Sequence, residues 1–170
     1  QNNNKFWKKY LKDFILTNAK WKFDNKRSED SVYISSFDLE DKHVKLVHKI
    51  AKNLNISVDT IFLFTYLKVL SYFTNNNDIT IGLVVHNRLA KEDGDKIFGM
   101  FLNTIPFRFN LKNQQSNQEA LLTIFNSKLN LRKYQFFPYA KIKTLFQQEI
   151  FDFTFNYTHF YAINENLDKI

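Results

Sequence analysis

An apolar helix followed closely by an apolar strand constrains the fold of this chain more than any other feature. Residues 58–73 carry apolar side chains nearly all round the predicted helix, so this helix needs cover on every side. Ser57 precedes it as a predicted N-cap. After the turn-forming residues 74–78, residues 79–85 form a continuous apolar run typical of a buried strand. Both elements are therefore predicted to lie in the interior of a layered α/β domain.

Two helices and one strand are predicted ahead of this pair. Residues 5–16 place aromatic and leucine side chains on one stripe at helical spacing. Residues 32–37 are rich in β-branched and aromatic side chains, which favours a short strand. Asp38 is then predicted to cap a second amphipathic helix. The inward side of that helix is predicted to consist of Val44, Val47, Ile50, Ala51 and Leu54.

The second half of the chain continues the alternation. Residues 105–111 alternate apolar and polar side chains, which predicts a strand with one solvent-facing side. Pro106 indicates that this position is at the start of the strand or that the strand lies at a sheet edge. Helices are predicted over 117–132 and 138–147, and a half-buried strand over 151–158. Because strands and helices interleave without an internal repeat, the predicted fold class is α/β, with a mixed sheet flanked by helices.

Composition fits one domain or a large part of one. The 170 residues are 44% hydrophobic and 17% aromatic, which excludes a disordered chain. The absence of Cys excludes disulfides and thiolate chemistry and fits a reducing compartment, so we expect a cytoplasmic protein. The longest apolar run, 61–67, is interrupted by Thr65, and no membrane-spanning helix is predicted. The chain begins with Gln1 rather than Met, which suggests a piece of a longer polypeptide.

The net charge of +7 permits an anionic partner. The basic residues are mostly Lys spread along the chain, whereas Arg is the side chain preferred for base edges and phosphates. The charge therefore favours a solvated Lys-rich surface over a specific nucleic-acid reader or a membrane-bound domain. The four Arg residues are Arg27, Arg88, Arg108 and Arg132.

The histidines do not form a catalytic or metal motif. His43 and His48 are five residues apart on one predicted helix and so do not share a face as a metal pair would. His159 has no carboxylate at motif spacing. No metal site and no catalytic residue are predicted in this chain.

Two polar clusters stand at the ends of predicted strands. His86, Asn87 and Arg88 follow the buried strand directly, and Asn103 and Thr104 begin the next. Ligands commonly bind beyond strand ends in α/β sheets. A structural role is equally consistent with the pattern, with Arg88 closing a loop through carbonyls or an Asp, and Asn103 serving as a turn residue.

Five segments together resemble the condensation domains of nonribosomal peptide synthetases. Residues 78–88 resemble a strand motif of the Ile-Gly-x-Pro-Val type that runs into an Arg, and residues 97–108 resemble the next motif, Ile-Gly-x-Phe-Val-Asn-Thr-Leu-Pro-x-Arg. Residues 6–11, 138–139 and 151–157 are similar to the opening helix, a Pro-led helix and a Phe-Asp-x-x-Phe-Asn-Tyr strand. The five segments keep the family's order, so the likeness spans nearly the whole chain.

This resemblance implies one lobe of a chloramphenicol-acetyltransferase-like fold, in which two lobes enclose a tunnel. Residues 1–170 are then expected to be a partial condensation domain, the carboxy-terminal lobe without the amino-terminal lobe and the last strands. In the family, carrier proteins deliver acyl and amino groups on phosphopantetheine arms, and an amide bond forms. The family's catalytic motif, His-His-x-x-x-Asp-Gly, is absent from this sequence. The isolated chain is therefore expected to be inactive and to bind no cofactor directly.

The resemblance also assigns individual residues. Asn103 and Thr104 match positions near the tunnel, and His86, which replaces a commoner small residue, is assigned to the tunnel without a catalytic role. Three further motif positions are assigned structural roles, namely Gly82, Arg88 and Gly99. Residues 89–101 resemble the floor loop that crosses between the lobes.

The implied partners are carrier proteins and the amino-terminal lobe of the same domain. If that lobe covers part of this one, the isolated chain should expose an apolar patch larger than a few hundred Å², and we predict self-association or poor solubility. Epimerization and heterocyclization subtypes remain open. The alternatives are a degenerate or stand-alone acyltransferase-like domain that docks a carrier protein, and a basic nucleic-acid-binding module.

Overall fold

The computed structural model describes residues 2–18, 32–88 and 97–158. The α-helices within these ranges are α1 (Asn2–Tyr10), α2 (Asp41–Leu54), α3 (Val58–Thr74), α4 (Asn117–Leu131) and α5 (Tyr139–Phe146). The strands are β1 (Asp78–His86), β2 (Leu102–Asn110) and β3 (Thr154–Phe155). Single turns of 3-10 helix follow β2 at Leu111–Asn113 and α4 at Arg132–Tyr134.

The three strands form one mixed sheet in the order β2-β1-β3. β1 pairs with β2 in antiparallel fashion along its whole length, from Asp78 opposite Asn110 to His86 opposite Leu102. β3 runs parallel to β1 and pairs with it only at Gly82 and Leu83. The predicted fold class, a mixed sheet flanked by helices, is confirmed.

Pro106 lies in the edge strand β2, as predicted. It stands opposite Gly82, whose N–H donates to Phe153 on the other side of β1 at 2.8 Å. Gly82 and Pro106 therefore form a pair without mutual hydrogen bonds, and the missing N–H of Pro106 costs no ladder bond.

Part of the core lies on the face of the sheet that carries the odd-numbered residues of β1. Register places Ile79, Ile81 and Leu83 beside the buried side chains of β2 on that face, and α3 contacts both β1 and α4. The side chains with no exposed surface include Leu63, Leu67, Ile79, Ile81, Phe107 and Ile124. The helix and strand predicted for the interior thus supply much of the core.

Helix α3 is less enclosed than its apolar sequence predicts. One side of it is buried, whereas Val69, Tyr72 and Phe73 are exposed near its carboxyl end. The predicted helices at 117–132 and 138–147 are confirmed to within one residue at each end, and β2 begins three residues before the predicted 105.

The strand predicted at 32–37 is wrong. These residues are exposed and make no ladder with any of the three described strands, and Val32, Ile34 and Phe37 are each more than 80% exposed. β-branched and aromatic side chains favour a strand only where a neighbouring strand offers hydrogen bonds and a surface to pack on.

Three predicted boundaries are also corrected. α2 begins at Asp41 with Glu40 as its N-cap, rather than at a cap formed by Asp38, and the predicted inward Val44 is 39% exposed. α1 ends at Tyr10 rather than at residue 16, because the chain turns at Asp13, which has a φ of 55°. The strand predicted over 151–158 pairs with β1 only at Thr154–Phe155.

A polar cluster binds α1 to the outer edge of β2. The hydroxyl of Tyr10 accepts the backbone N–H of Arg108 at 2.9 Å and donates to the Arg108 carbonyl at 3.2 Å, so it occupies both outward-facing backbone groups of this edge-strand residue. The Arg108 guanidinium donates to both oxygens of Asp78, at 2.9 Å and 2.6 Å, which raises the pKa of Arg108. Burial raises the pKa of Tyr10 to about 12. The cluster fixes the first helix to the sheet.

Tyr10→Phe is expected to lower the free energy of unfolding by about 1–3 kcal/mol, because a buried N–H and a carbonyl lose their shared partner. Urea denaturation followed by circular dichroism measures the change. Tyr72→Phe is the control, since Tyr72 is 83% exposed. Equal stabilities for the two variants would contradict the structural role of the Tyr10 hydroxyl.

Gly82 leaves room for an aromatic ring over the centre of the sheet. A Cβ at this buried position would stand 2.7 Å from Cζ of Phe151 and 2.8 Å from Cγ2 of Thr104. Both distances are shorter than van der Waals contact, and the Phe151 ring is already packed against Tyr139, with their centroids 4.7 Å apart. A larger residue here must displace that pair.

Gly82→Ala is expected to destabilise the fold by about 1–3 kcal/mol, the usual range for overpacking. Thermal unfolding measures the effect, with Thr154→Ala at the neighbouring exposed position as the matched control. A melting temperature for Gly82→Ala equal to that of the control would show that the ring has space to move.

Candidate functional site

A cleft of about 510 Å³ opens at the carboxyl end of β1. Its floor is apolar and comes from the sheet and α4, with side chains of Leu83, Val85, Ile105, Phe125, Leu129 and Leu131. Its rim is polar and largely basic, formed by His86, Arg88, Lys128, Arg132 and Gln135. An apolar floor under a basic rim suits a ligand with an apolar part and an anionic or carbonyl-bearing part.

One wall of the cleft is fixed by an ion pair between two helices. The Lys128 ammonium on α4 contacts the carboxylate of Asp59 in the first turn of α3. The same ammonium also lies 3.3 Å from Oγ of Ser57 and 3.2 Å from Oγ1 of Thr60. Asp59 is the one carboxylate among the residues that line the cleft, so the rim keeps an excess of positive charge.

Sequence reasoning missed this pair. Asp59 has the pattern of an ordinary acidic residue at a helix start, where the helix dipole favours it. Lys128 follows 69 residues later in a different helix. No local spacing in the sequence predicts this contact, because Asp59 and Lys128 come together only through the packing of α3 against α4.

A second cleft, of about 410 Å³, lies where β3 leaves β1. Among the described residues after Phe155, Asn156 to Thr158 make no register pair with β1. The lining residues are Val84, Val85, His86, Leu102, Asn156, Tyr157 and Thr158. The two clefts share Val84, Val85 and His86 as lining residues, so both border the carboxyl end of the central strand.

Arg88 lies at the rim of the larger cleft and joins the two ends of the following loop. Its Nη1 donates to the carbonyl of Ile97 at 2.9 Å, and its guanidinium carbon lies 4.4 Å from the centroid of the Phe101 ring. A carbonyl contact is one of the structural alternatives that the sequence left open. Most of the predicted floor loop, residues 89–96, lies outside the described residues.

Asn103 does not line either cleft. Its amide donates to the carbonyls of Gln135 at 2.7 Å and Phe137 at 3.1 Å. Asn87 donates to the same Gln135 carbonyl at 3.1 Å, and its own buried Oδ1 has no hydrogen-bond partner among the described residues. The two amides fix the segment after α4 against the ends of β1 and β2. They therefore position Gln135, which lines the larger cleft. The Gln135 carbonyl, which accepts hydrogen bonds from both amides, was not predicted from the sequence.

The remaining predicted residues lie apart from the clefts. Thr104 is turned toward the face that holds Phe151, and Gly99 is exposed with a φ of +157°, which residues with side chains rarely adopt. The tunnel roles predicted for Asn103 and Thr104, and the structural roles of Gly82, Arg88 and Gly99, stay predictions. Of the predicted tunnel residues, His86 is the one that reaches both clefts.

His43 and His48 are exposed on α2, and His159 lies outside the described residues. Within residues 2–18, 32–88 and 97–158, no group of three or more His, Cys, Asp or Glu side chains is arranged to hold a metal ion. In the same ranges no single helix has the length and apolarity to cross a membrane. The bent pair α2 and α3, at 107°, meets that test by length and composition alone.

The family comparison matches almost the whole chain. The family described as Condensation domain matches residues 1–166. Gramicidin S synthase 2 of Brevibacillus brevis is 27% identical over 157 residues, which cover 87% of this chain and 3% of the synthase. The nonribosomal peptide synthetase aclP of Aspergillus oryzae is 31% identical over 90 residues, which cover 52% of this chain and 6% of that protein.

Solved structures share the fold. The first condensation domain of the calcium-dependent antibiotic synthetase, in complex with substrate analogue 2a, superposes with a TM-score of 0.69 at 14% identity, covering 84% of this chain and 33% of that one. The condensation domain from the Monacolin K polyketide synthase MokA gives a TM-score of 0.66 at 16% identity, covering 88% and 36%.

The fold and the family match together define the class of protein, an α/β chain with the fold of condensation domains. The chain belongs to the condensation-domain family. It spans 3% of the length of the gramicidin synthase and about a third of the solved condensation-domain chains.

Arg88→Ala is expected to lower the melting temperature by a few degrees, because the carbonyl of Ile97 and the face of Phe101 both lose a contact. Arg132→Ala on the same rim is the control and should change stability by no more than about 0.5 kcal/mol, as exposed positions do. Differential scanning calorimetry measures both. An unchanged melting temperature for Arg88→Ala, with weaker ligand binding, would instead assign Arg88 to the ligand.

Proposed function

We propose that this chain is the carboxy-terminal lobe of a nonribosomal peptide synthetase condensation domain, acting in the cytoplasm. The observation that carries the proposal is the pair of clefts that border the end of β1, within a chain matched to the family over residues 1–166. The lobe supplies one wall of the tunnel in which an acyl thioester meets an amine. The other wall is supplied by a lobe whose sequence lies outside these 170 residues.

The reaction sets clear chemical requirements. The nitrogen of the acceptor amine attacks the thioester carbonyl carbon, a C–N bond forms, and the C–S bond breaks. The amine loses a proton and the departing thiolate gains one, so the site needs a group that accepts a proton near the amine. It also needs hydrogen-bond donors for the oxyanion of the tetrahedral intermediate.

This lobe meets the binding requirements better than the proton-transfer requirement. The apolar floor of the larger cleft accommodates an aliphatic group, and the basic rim of Arg88, Lys128 and Arg132 favours anionic and carbonyl groups. The sequence contains no His-His-x-x-x-Asp-Gly. We therefore assign proton transfer to that motif in the other lobe, and wall and positioning roles to this chain.

Carrier proteins are the proposed partners. Each carries its substrate on a phosphopantetheine arm, which combines a phosphate, an extended amide-bearing chain and a thioester. A basic rim beside two neighbouring clefts suits the phosphate of such an arm by charge. Because the arm stays attached to the carrier, the lobe needs no cofactor of its own.

A second candidate function keeps the fold and the basic rim of the larger cleft but not the chemistry. A degenerate domain of this fold would dock a carrier protein without forming a bond. A third, a basic nucleic-acid-binding module, rests on the net charge of +7 alone. It would be recognised by retention on random DNA that falls steeply between about 50 and 200 mM salt.

The decisive assay compares residues 1–170 with the full-length natural polypeptide that contains them. With two loaded carrier proteins, the full-length polypeptide is expected to form the amide product and the isolated chain none, as measured by mass spectrometry. Changing the second His of the upstream motif to Ala should abolish the product and leave carrier binding intact. Carrier binding without product from the unaltered polypeptide would favour the docking function instead.

A further inference from the structure

His86 occupies the junction of the two clefts. It is the last residue of β1, its side chain is exposed, and it lines both the larger and the smaller cleft. The other two residues common to both clefts are Val84 and Val85, which offer no side-chain hydrogen bond. A ligand that reaches the carboxyl end of β1 in either cleft therefore lies beside His86.

The ring is held in place from two directions. The backbone N–H of Arg88 donates to Nδ1 of His86 at 3.2 Å. The ring also lies against Phe101, with centroids 6.4 Å apart and planes inclined by 29°. Phe101 is itself covered by the Arg88 guanidinium, so the three side chains form one stacked group. A side chain held in this way presents a fixed face to the clefts.

The remaining ring nitrogen is available to a ligand. Because Nδ1 accepts a hydrogen bond, the neutral imidazole carries its proton on Nε2. Nε2 makes no hydrogen bond with any residue of the described ranges. A fixed N–H donor beside an apolar surface favours a carbonyl oxygen as its partner.

We propose that His86 is a specificity-determining residue: its Nε2–H donates to the carbonyl oxygen of the carried acyl group, and its ring limits the size of the group at the junction. This inference rests on the proposed function, since that function brings the carbonyl to the clefts. A small residue at this position would leave the two clefts joined and without the donor. The imidazole therefore narrows the range of acyl groups that this chain accepts.

The test uses two unreactive pantetheine probes and the full-length polypeptide. One probe is a ketone in which a methylene replaces the thioester sulfur, and the other is the matching alkane without the carbonyl oxygen. Their dissociation constants are measured by isothermal titration calorimetry. The ratio of the two constants isolates the contribution of the carbonyl oxygen, which a purely structural role of His86 would not change.

The unaltered protein is expected to bind the ketone about five- to tenfold more tightly than the alkane, the gain typical of one hydrogen bond. His86→Phe keeps a ring against Phe101 but removes the donor, so its ratio should fall to about one. His86→Gln retains an N–H donor of similar reach and should restore most of the preference. His48→Phe, at an exposed position on α2, is the matched control and should bind both probes like the unaltered protein.

His86→Ala tests the size limit separately. It should bind a ketone with a longer acyl chain several-fold more tightly than the unaltered protein does, because the junction is open. No gain would overturn the proposed size limit. A carbonyl preference that survives in His86→Phe, or that is absent from the unaltered protein, would overturn the proposed hydrogen bond and leave the proposed function standing. Failure of the unaltered protein to bind either probe would contradict both.

Discussion

The backbone pairing of β1 on both sides is the constraint on which the rest of this structure depends. Pairing on both edges satisfies backbone groups of β1, and its residues Ile79, Ile81 and Leu83 are buried in the core beside α3. The edge strand β2 then needs protection, which the Tyr10 hydroxyl provides at Arg108. Helix α1 therefore protects the edge strand, and helix α3 packs on β1.

The clefts arise where that pairing stops. Inside the sheet, side chains of β1 are enclosed by neighbours, and at its carboxyl end they are no longer covered on all sides. Polar residues follow directly, and they are held by contacts of two kinds: Asn87 and Asn103 bind backbone carbonyls, while Arg88 and His86 stack on Phe101. Strand β1 thus supplies buried core residues along its length and polar cleft residues at its carboxyl end.

Much of this arrangement is readable from the sequence because it is local. The periodicity of α3 and the apolar run of β1 depend on neighbouring residues alone, and the polar cluster after β1 marks the site by position. Residues 32–37 mislead because their strand-like composition lacks a pairing partner in the described sheet. The contact between Asp59 and Lys128 is equally beyond sequence reasoning, since it depends on how two distant helices pack.

Strand β3 pairs with β1 over only two residues, so the residues that line the smaller cleft after β3 contribute little to the backbone pairing that stabilises the domain. Two register pairs hold β3 to β1, whereas the whole length of β1 is paired with β2. Local opening costs least where few backbone bonds and little buried apolar surface are lost. The contacts of Asn156 to Thr158, including the Tyr157 ring stacked on Phe62, are therefore separate from the antiparallel ladder. Substitutions in that stretch are therefore expected to change the lining of the smaller cleft at less cost to folding than substitutions in the antiparallel ladder.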